Sequence, residues 1–559
     1  MAKSKKEFEG LNFIPLGGSE QFGVNLNVYE CDDDYLVVDM GIGFADENFP
    51  GIDILLPNPK YLEGHKKKIS GLIITHAHED HIGAVAHLWP RLKCPIYCTR
   101  FTAEILKKKM AEEPACKKAP IVVVDMGATI QIGTYVVQFI PVTHSVPETA
   151  SLFVKTKYGN VLHSGDWNLD PTPVLGVPTS EKTFREIGKQ GVLAYIGDST
   201  NANVAGRSGS EMNVQKGLAE VIKENDKGAI VITIFSSNIG RIHSICKAAE
   251  ANGRSVGLVG RSLHRMVGAA KTCGYLNDIQ DFVNEDDLEL LPRENIVIIA
   301  TGSQGEARAQ MARIARGDSQ FYRIKRGDTV IFSSRAIPGN EKNIYGVQNN
   351  LAAAGVKIIT TSQTSHCIHV SGHPCRDEIV EMLDWLKPQL VIPVHGERVM
   401  LEAHAKLAQM CQVPQTIIPN NGSVIHLAPH TPEIIDHVTT GVLAVEPGRI
   451  IDGGHKAIAE RRKLQYSGAI HASLVLDKNL EFLSDPHIST QGLIDEDSDE
   501  GMDFEDEMFN EIDDVLRDLK KGKNKTEEFV AEEIRIALRR YANNVLKMKP
   551  KTDVHVSII

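Results

Sequence analysis

Thr75-His76-Ala77-His78-Glu79-Asp80-His81 places three histidines and an aspartate within six consecutive positions. Gly71-Leu72-Ile73-Ile74-Thr75, just before, predicts a buried strand. Ile82-Gly83-Ala84-Val85-Ala86-His87-Leu88, just after, predicts the start of a helix. The cluster therefore occupies a strand-to-helix loop, where a rigid scaffold aims side chains into a cleft. Imidazole and carboxylate at this spacing suit zinc or a similar borderline cation. A turn of solvated histidines is the plainer alternative, but a His-x-His-x-Asp-His run is rare by chance.

Working outward, residues 24–30 alternate with period two, as a half-buried strand does. Residues 35–39 predict another strand, ending in Asp39. That carboxylate is expected to orient the histidine loop through hydrogen bonds rather than to bind metal. Downstream, a helix is expected at 102–113 and strands at 121–124 and 135–142. The last strand delivers Thr143-His144-Ser145, and the next, at 159–164, delivers Gly165-Asp166. A lone surface His or Asp is usually solvated. Two at successive strand ends, behind such a cluster, read as ligands. One more strand and turn follows at 193–201.

From about residue 208, strand, polar turn and helix recur, with apolar runs at 229–235, 255–259, 295–300 and 329–332. This predicts an α/β block with a mostly parallel sheet. None of its loops carries a Walker or dinucleotide fingerprint. Histidines return in His366-Cys367-Ile368-His369-Val370-Ser371-Gly372-His373. A helix at 377–386 and a strand at 390–394 lead to His395-Gly396-Glu397, where His395 ends a strand as His144 does. The tail reads as a small α+β domain. Strands are expected at 472–476, 481–483 and 554–559. One amphipathic helix carries Phe504, Met508, Ile512, Val515 and Leu519 on a single face, and a second carries Val530, Ile534 and Leu538.

At 559 residues, 42% hydrophobic and 24% charged, the chain is expected to form two to four globular domains. The basic start, Met1 to Glu7, is followed by no apolar segment, so no secretory signal is expected. Nor is there an apolar run of about 18 residues to cross a membrane. The nine cysteines form no Cys-x-x-Cys pair, which points to a reducing compartment, hence the cytoplasm. The net charge of −11 is dominated by residues 495–514, with twelve acids and no Lys or Arg. The rest of the chain is close to neutral, so an anionic substrate is allowed.

The candidate ligands divide into two sets. His76, His78 and His144 serve one ion; Asp80, His81 and His395 serve the other; Asp166 lies between. Such N/O sites leave room for solvent, as catalytic zinc requires. Two ions sharing a hydroxide stabilise both the attacking and the leaving oxygen on phosphorus. Asp80 could also orient the nucleophile.

His76-x-His78-x-Asp80-His81 with His144, Asp166 and the late His395 resembles the metallo-β-lactamase superfamily. The resemblance implies an αββα sandwich with the metals at its edge. The 228 residues between Asp166 and His395 hold the repeating α/β block, which resembles the β-CASP insertion of nucleic-acid-processing members. Glu211 matches that group's motif A, His373 its motif B and His395 its motif C. Phe13-Ile14-Pro15-Leu16-Gly17-Gly18, Phe49-Pro50-Gly51-Ile52-Asp53, Gly302-Ser303-Gln304-Gly305-Glu306 and Pro393-Val394-His395-Gly396-Glu397 fit the ribonuclease J family in order. Ala77, Pro374 and the acidic block depart from its pattern, and none removes a ligand.

The family resemblance implies a metallo-β-lactamase domain at 1–207 and 365–450, a β-CASP domain at 208–364, a linker at 451–468 and a C-terminal α+β domain at 469–559. It implies a zinc-dependent ribonuclease with 5′→3′ exonuclease and endonuclease activity in RNA maturation and decay, including rRNA processing and mRNA decay. Two Zn²⁺ are implied, with Mn²⁺ or Mg²⁺ as substitutes. The catalytic residues would be Asp80, His373 and Glu211. His373 would donate a proton to the leaving 3′ oxygen or stabilise its charge, held by Glu211. Ser236, Ser237, Asn238, His369, Val370, Ser371, Gly372 and His373 would line a pocket for a 5′-monophosphate or backbone phosphate. A structural Ca²⁺ at Asp53 and Asp452, and a homodimer or homotetramer, are further implications; no membrane partner is expected. The rival readings are a β-CASP nuclease that cuts DNA or acts only as an endonuclease, and a catalytically silent RNA-binding scaffold. A hydrolase of small thioesters or lactams would leave the 228-residue insertion unexplained.

Overall fold

The computed structural model describes residues 9–337, 339–495 and 497–559; the basic stretch at 1–7 lies outside them. Strand Leu11–Gly17 is buried at every position, as an apolar strand in a sheet covered on both faces should be. Its eight-stranded sheet runs in the order Glu433–His437, Ser423–Ala428, Leu11–Gly17, Leu26–Cys31, Asp34–Val38, Ile69–Ile74, Ile96–Cys98, Ile121–Val123. A seven-stranded sheet runs Gln415–Thr416, Leu390–Val394, Ala194–Asp198, Gly159–His163, Ala150–Thr156, Tyr135–Pro141, Thr129–Ile132. One core joins them, with Phe13, Tyr29 and Leu36 from the first meeting Val137, Leu152 and Ile196 from the second. The far face of the second sheet presents Phe153, Leu162 and Tyr195. These pack on Phe184, Met382 and Leu407 of helices Glu181–Lys189, Arg376–Leu386 and Arg398–Met410. Each such side chain contributes about 1.5–3 kcal/mol by leaving water. Helix Arg100–Ala111 packs by the first sheet, completing helical layers on both sides.

Strand direction then places the chemistry. Gly159–His163, Ala194–Asp198 and Leu390–Val394 are mutually parallel neighbours. Their C-terminal ends lie at one edge of the sandwich, so Asp166, Asp198 and His395 emerge together. The inserted block is a five-stranded sheet, ordered Ser255–Val259, Ile296–Ala300, Ile230–Thr233, Thr329–Phe332, Lys357–Ile359, and parallel at every pairing.

The chain divides into two compact units, one of residues up to 43 with 56–442, the other of 44–55 with 443–559. In the second, strands His487–Gln491, Ala469–Leu476 and Lys551–Ile558 form a sheet under helices Asp499–Leu519 and Glu527–Leu546. Phe504, Met508, Ile512 and Leu516 meet Val530, Ile534 and Leu538 in its core. Val515 and Leu519, expected on the buried stripe, only border it. Three local expectations change. Residues 481–483 are not a strand, because Phe482 makes only an isolated bridge to Leu476. The expected linker at 451–468 holds helix Lys456–Ser467. Helix begins inside the histidine cluster, at Glu79–Ile82, so Asp80 and His81 project from a helical turn.

Candidate metal centre

Asp39 fixes the histidine loop. Its backbone is left-handed, at φ 63°, which is costly for a residue with a side chain and persists only where the surroundings enforce it. Its carboxylate accepts from the Thr75 amide at 2.8 Å, from Thr75 Oγ1 at 2.9 Å and from His81 Nδ1 at 2.7 Å. This is the orienting role the sequence suggested for it. Gly41 lets the loop close, since a Cβ there would sit 1.5 Å from the Asp80 carbonyl oxygen.

Each histidine is turned by the bond its outer nitrogen makes. Thr75 Oγ1 gives its proton to Asp39 and lies 3.0 Å from His76 Nδ1, so His76 keeps Nε2 free. His144 Nδ1 donates to the Gly372 carbonyl at 2.7 Å, and His395 Nδ1 to Asn25 Oδ1 at 3.1 Å. His78 is reversed: Nε2 pairs with Ser145 Oγ at 3.2 Å and Nδ1 points inward.

The inward atoms form two sets that share one oxygen. His78 Nδ1 lies 3.1 Å from His76 Nε2 and 3.0 Å from His144 Nε2. Asp166 Oδ2 is 3.5 and 3.7 Å from those two Nε2 atoms. The same oxygen is 3.3 Å from His81 Nε2 and 3.6 Å from His395 Nε2. Asp80 Oδ2, on a side chain about a third exposed, completes the second set at 3.4 and 3.6 Å from the same histidines. Zinc bonds of about 2.0–2.1 Å give tetrahedral ligand–ligand edges of about 3.3 Å, close to these spacings. Both sets could each hold one cation.

Electrostatics support that reading. Both carboxylate oxygens of Asp166 are buried without a hydrogen-bond partner, a costly state for an anion unless a cation faces it. Burial, then a neighbouring imidazole, lowers the pKa of His76, drives that of His78 well down and brings that of His144 to about 3. All three are thus neutral, as ligands must be. Burial acts the same way on His81, but Asp166, Asp80 and Asp39 outweigh it and raise its pKa well above the usual value. A metal ion at Nε2 would displace that proton.

His373 faces the same oxygen, with Nδ1 3.8 Å from Asp166 Oδ2. Its partner corrects the sequence reading. Nδ1 donates to Asp198 Oδ2 at 2.8 Å, and not to Glu211. Burial opposes the charge on His373, but Asp198 and Asp166 raise its pKa to about 9. Glu211 instead accepts from Arg241 Nε and Nη2 at 2.7 and 3.0 Å. Arg241, fully buried, also donates to the Ser333 carbonyl and hydroxyl at 2.8 and 2.7 Å. Glu211 therefore ties helices Glu211–Glu224 and Ile239–Glu250 together. The overlooked signal was Ile196-Gly197-Asp198, a third strand that runs into an acid at the edge where Asp166 emerges.

A cavity of about 250 Å³ adjoins His144. Of the expected phosphate-binding residues, Asn238, Val370, Ser371 and Gly372 line it, while Ser236, Ser237, His369 and His373 do not. His369 Nδ1 accepts from Arg241 at 3.2 Å, and burial, then the Arg241 charge, lowers its pKa to about 3. Gly372 lies close to His144: a Cβ there would lie 2.8 Å from His144 Cε1. Asp53 and Asp452 belong to none of the possible cation clusters among the described residues, and Asp452 Oδ1 accepts from the Gly454 amide at 2.8 Å. No helix among the described residues is long and apolar enough to cross a membrane.

Comparison with known families matches residues 20–193 to the metallo-beta-lactamase superfamily and 227–351 to "Ribonuclease J, beta-CASP domain". Residues 362–415 match a "Zn-dependent metallo-hydrolase RNA specificity domain" and 456–558 the "Ribonuclease J C-terminal domain". The chain is 41% identical to Ribonuclease J of Sinorhizobium meliloti, over 98% of this chain and 97% of the relative. Ribonuclease J of Synechocystis is 33% identical over 88% of this chain and 77% of its own length. Ribonuclease J2 of Bacillus subtilis is 32% identical over 88% of both. A solved protein of unknown function from Enterococcus faecalis V583 shares the fold, with a TM-score of 0.53 and 15% identity over 74% of this chain and 99% of that one.

Proposed function

The chain belongs to the ribonuclease J family, and from that premise we propose that it is a dizinc ribonuclease with 5′→3′ exonuclease and endonuclease activity. One observation supports this most strongly: a single buried oxygen, Asp166 Oδ2, stands 3.3–3.7 Å from four imidazole nitrogens. Two divalent cations in these sets would supply Lewis-acid charge and a water of lowered pKa. The protein's own groups do the rest. Asp80, the ligand open to solvent, orients the attacking water. His373, held through Nδ1 by Asp198, presents Nε2–H to the leaving 3′ oxygen. Asn238 and Ser371 face the cavity beside His144, and with the N-terminus of helix Ile239–Glu250 they hold phosphate oxygens, including a 5′-monophosphate. We further read the protein as a cytoplasmic homodimer or homotetramer acting in RNA maturation and decay.

Product analysis of end-labelled RNA bearing a 5′-monophosphate or 5′-triphosphate, alongside DNA of the same sequence, tests the reading. The expected result is release of mononucleotides from the monophosphate RNA, little from DNA, and loss with His76→Ala. Equal cleavage of DNA, or full activity in His76→Ala, would overturn it.

A further inference from the structure

The loop at 17–24, between strands Leu11–Gly17 and Leu26–Cys31, runs beside His395 and is held there at several points. The Gly18 carbonyl accepts from the His395 amide at 2.8 Å, and Ser19 and Gln21 both bridge to Gly396. The Ser19 amide donates to Asn421 Oδ1 at 3.0 Å, and Glu20 accepts from Arg398 at 3.1 Å. The backbone is left-handed at Gly18, Glu20, Gly23 and Val24, with φ 85°, 60°, 76° and 47°. Glycine adopts this freely; glutamate and, above all, β-branched valine do not. Gly23 has no room for a side chain either, since a Cβ there would lie 2.8 Å from the Ile42 carbonyl oxygen. Costly residues on both sides of Phe22, tied down by these bonds, mark a shape that is enforced, as at ligand clamps.

What this loop brings to His395 is the ring of Phe22. The ring is half-buried and meets the His395 ring edge to face, at 6.2 Å and 82°. A phenyl ring supplies no ligand to a cation; it packs, or it stacks. Phenylalanines that only pack here, such as Phe13 and Phe153, are fully buried. Phe22 keeps part of its ring open beside the same set of ligands as Asp80, which is itself about a third exposed and has Oδ2 3.6 Å from His395 Nε2. The cavity belongs to the other set. His144 lines it, and among the described residues no member of the 17–24 loop does. His373 adjoins both, its ring 5.1 Å from that of His144 and 5.7 Å from that of His395.

We propose that Phe22 is a stacking platform for the nucleobase on the 3′ side of the scissile phosphate. This rests on the ribonuclease reading above. There the nucleotide in the cavity beside His144 departs with its 3′ oxygen, protonated by His373, and the next nucleotide keeps the phosphate. The base of that next nucleotide belongs with the ligand set away from the cavity, and Phe22 is the aromatic ring against that set. Stacking reads no base edge, so it accepts any sequence. It does need a base whose face is free, which a single strand offers and a duplex does not.

Removing a base while keeping the backbone isolates the contact. 5′-Monophosphate RNAs carry one abasic ribonucleotide, at the first or the second position. Single-turnover release of the first nucleotide is followed with wild-type, Phe22→Leu and Phe22→Tyr protein. Leucine keeps apolar bulk against His395 but has no π face; tyrosine keeps the face. In the wild type, an abasic second position should slow release about 5- to 150-fold, the weight of one base on one aromatic ring. Phe22→Leu should lose a similar factor on intact RNA and nothing more when the second base is absent. Phe22→Tyr should match the wild type, with bound zinc, by elemental analysis, equal in all three. An unchanged rate of Phe22→Leu on intact RNA overturns the platform, and so do losses from Phe22→Leu and the abasic second position that multiply. Phe22→Leu protein that becomes insensitive to loss of the first base instead would put the ring on the cavity side and overturn it too. Reduced zinc in Phe22→Leu, with equal losses on every RNA, would mean that the ring only packs His395, which also overturns it. Wild-type protein that hydrolyses bis(p-nitrophenyl) phosphate but none of these RNAs overturns the ribonuclease reading, and the platform with it.

Discussion

At the scale of single residues, the site is a set of groups whose outer faces are as determined as their inner ones. His373 and Asp198 illustrate this. A carboxylate 2.8 Å from Nδ1 fixes the tautomer and leaves Nε2–H as the donor that the proposed role requires. If the two act as a unit, their losses do not add. Asp198→Ala is expected to lower single-turnover cleavage by about 10²- to 10³-fold, within the range of general acid catalysis. Asp198→Ala/His373→Ala should then be little worse than His373→Ala alone, with bound metal, measured by elemental analysis, unchanged in all three. Additive losses would mean that Asp198 does not work through His373. Gly372 gives a second expectation. Its carbonyl holds His144, and a Cβ added to it would lie 2.8 Å from the ring, so Gly372→Ala must displace His144. Metal affinity at the His76, His78 and His144 set should fall by about 10- to 100-fold, as when an orienting partner is lost. Titration with a zinc indicator reads this directly; unaltered affinity would show that the loop yields without cost.

Secondary-structure elements were legible where one physical signal dominated. Apolar runs leading into His or Asp marked Ile69–Ile74 and Leu390–Val394, which are buried on both faces or nearly so, and Tyr135–Pro141, whose burial alternates, each with its cargo. Asp198 ends a strand of the same kind, yet only the parallel pairing of three strands shows that it reaches the edge where Asp166 and His395 emerge. Glu211 was misread for the complementary reason. At the first turn of a helix, nothing in the sequence distinguishes a carboxylate facing a histidine from one paired with Arg241, thirty residues later. Glu378 was invisible to periodicity altogether. It is fully buried in the first turn of helix Arg376–Leu386 and accepts from the Leu169, Ser208 and Cys375 amides and from Ser208 Oγ, at 2.7–3.0 Å. One carboxylate thus pins the segment after Asp166, the entry to the inserted domain and the helix after His373. Glu378→Ala leaves three buried amides without partners. It should destabilise the protein by about 3–5 kcal/mol, the usual cost of stranding buried partners of a charged group. Urea unfolding would measure this, and a loss below about 1 kcal/mol would mean that water enters and replaces the carboxylate.

At the scale of the whole molecule, the division at residues 442–443 was only partly visible, because residues 44–55 group with the C-terminal unit across some four hundred positions of sequence. No linear reading of composition recovers such a pairing. The core built from residues 470–542 is different. Every member of it lies between 469 and 559, where the helical stripe and the closing strand had already been read. A core drawn wholly from one contiguous segment of roughly ninety residues is of a size that folds alone. The fragment 469–559 is therefore expected to unfold cooperatively when heated, followed by circular dichroism. Its acids sharpen the expectation. Asp499 and Glu500 suit the start of helix Asp499–Leu519, where Ser498 Oγ caps the Gly501 amide at 3.0 Å. Asp503, Glu505, Asp506 and Glu507 follow on exposed positions and repel one another. Salt screens that repulsion, so the fragment's melting temperature should rise as ionic strength goes from about 0.01 to about 1 M, where the Debye length falls from about 30 to about 3 Å. A melting temperature that falls with salt would show that ion pairs such as Arg517 with Asp513 and Asp514 outweigh the crowding of acids. A fragment that shows no cooperative transition would mean that this core depends on residues 44–55 and 443–468 to fold.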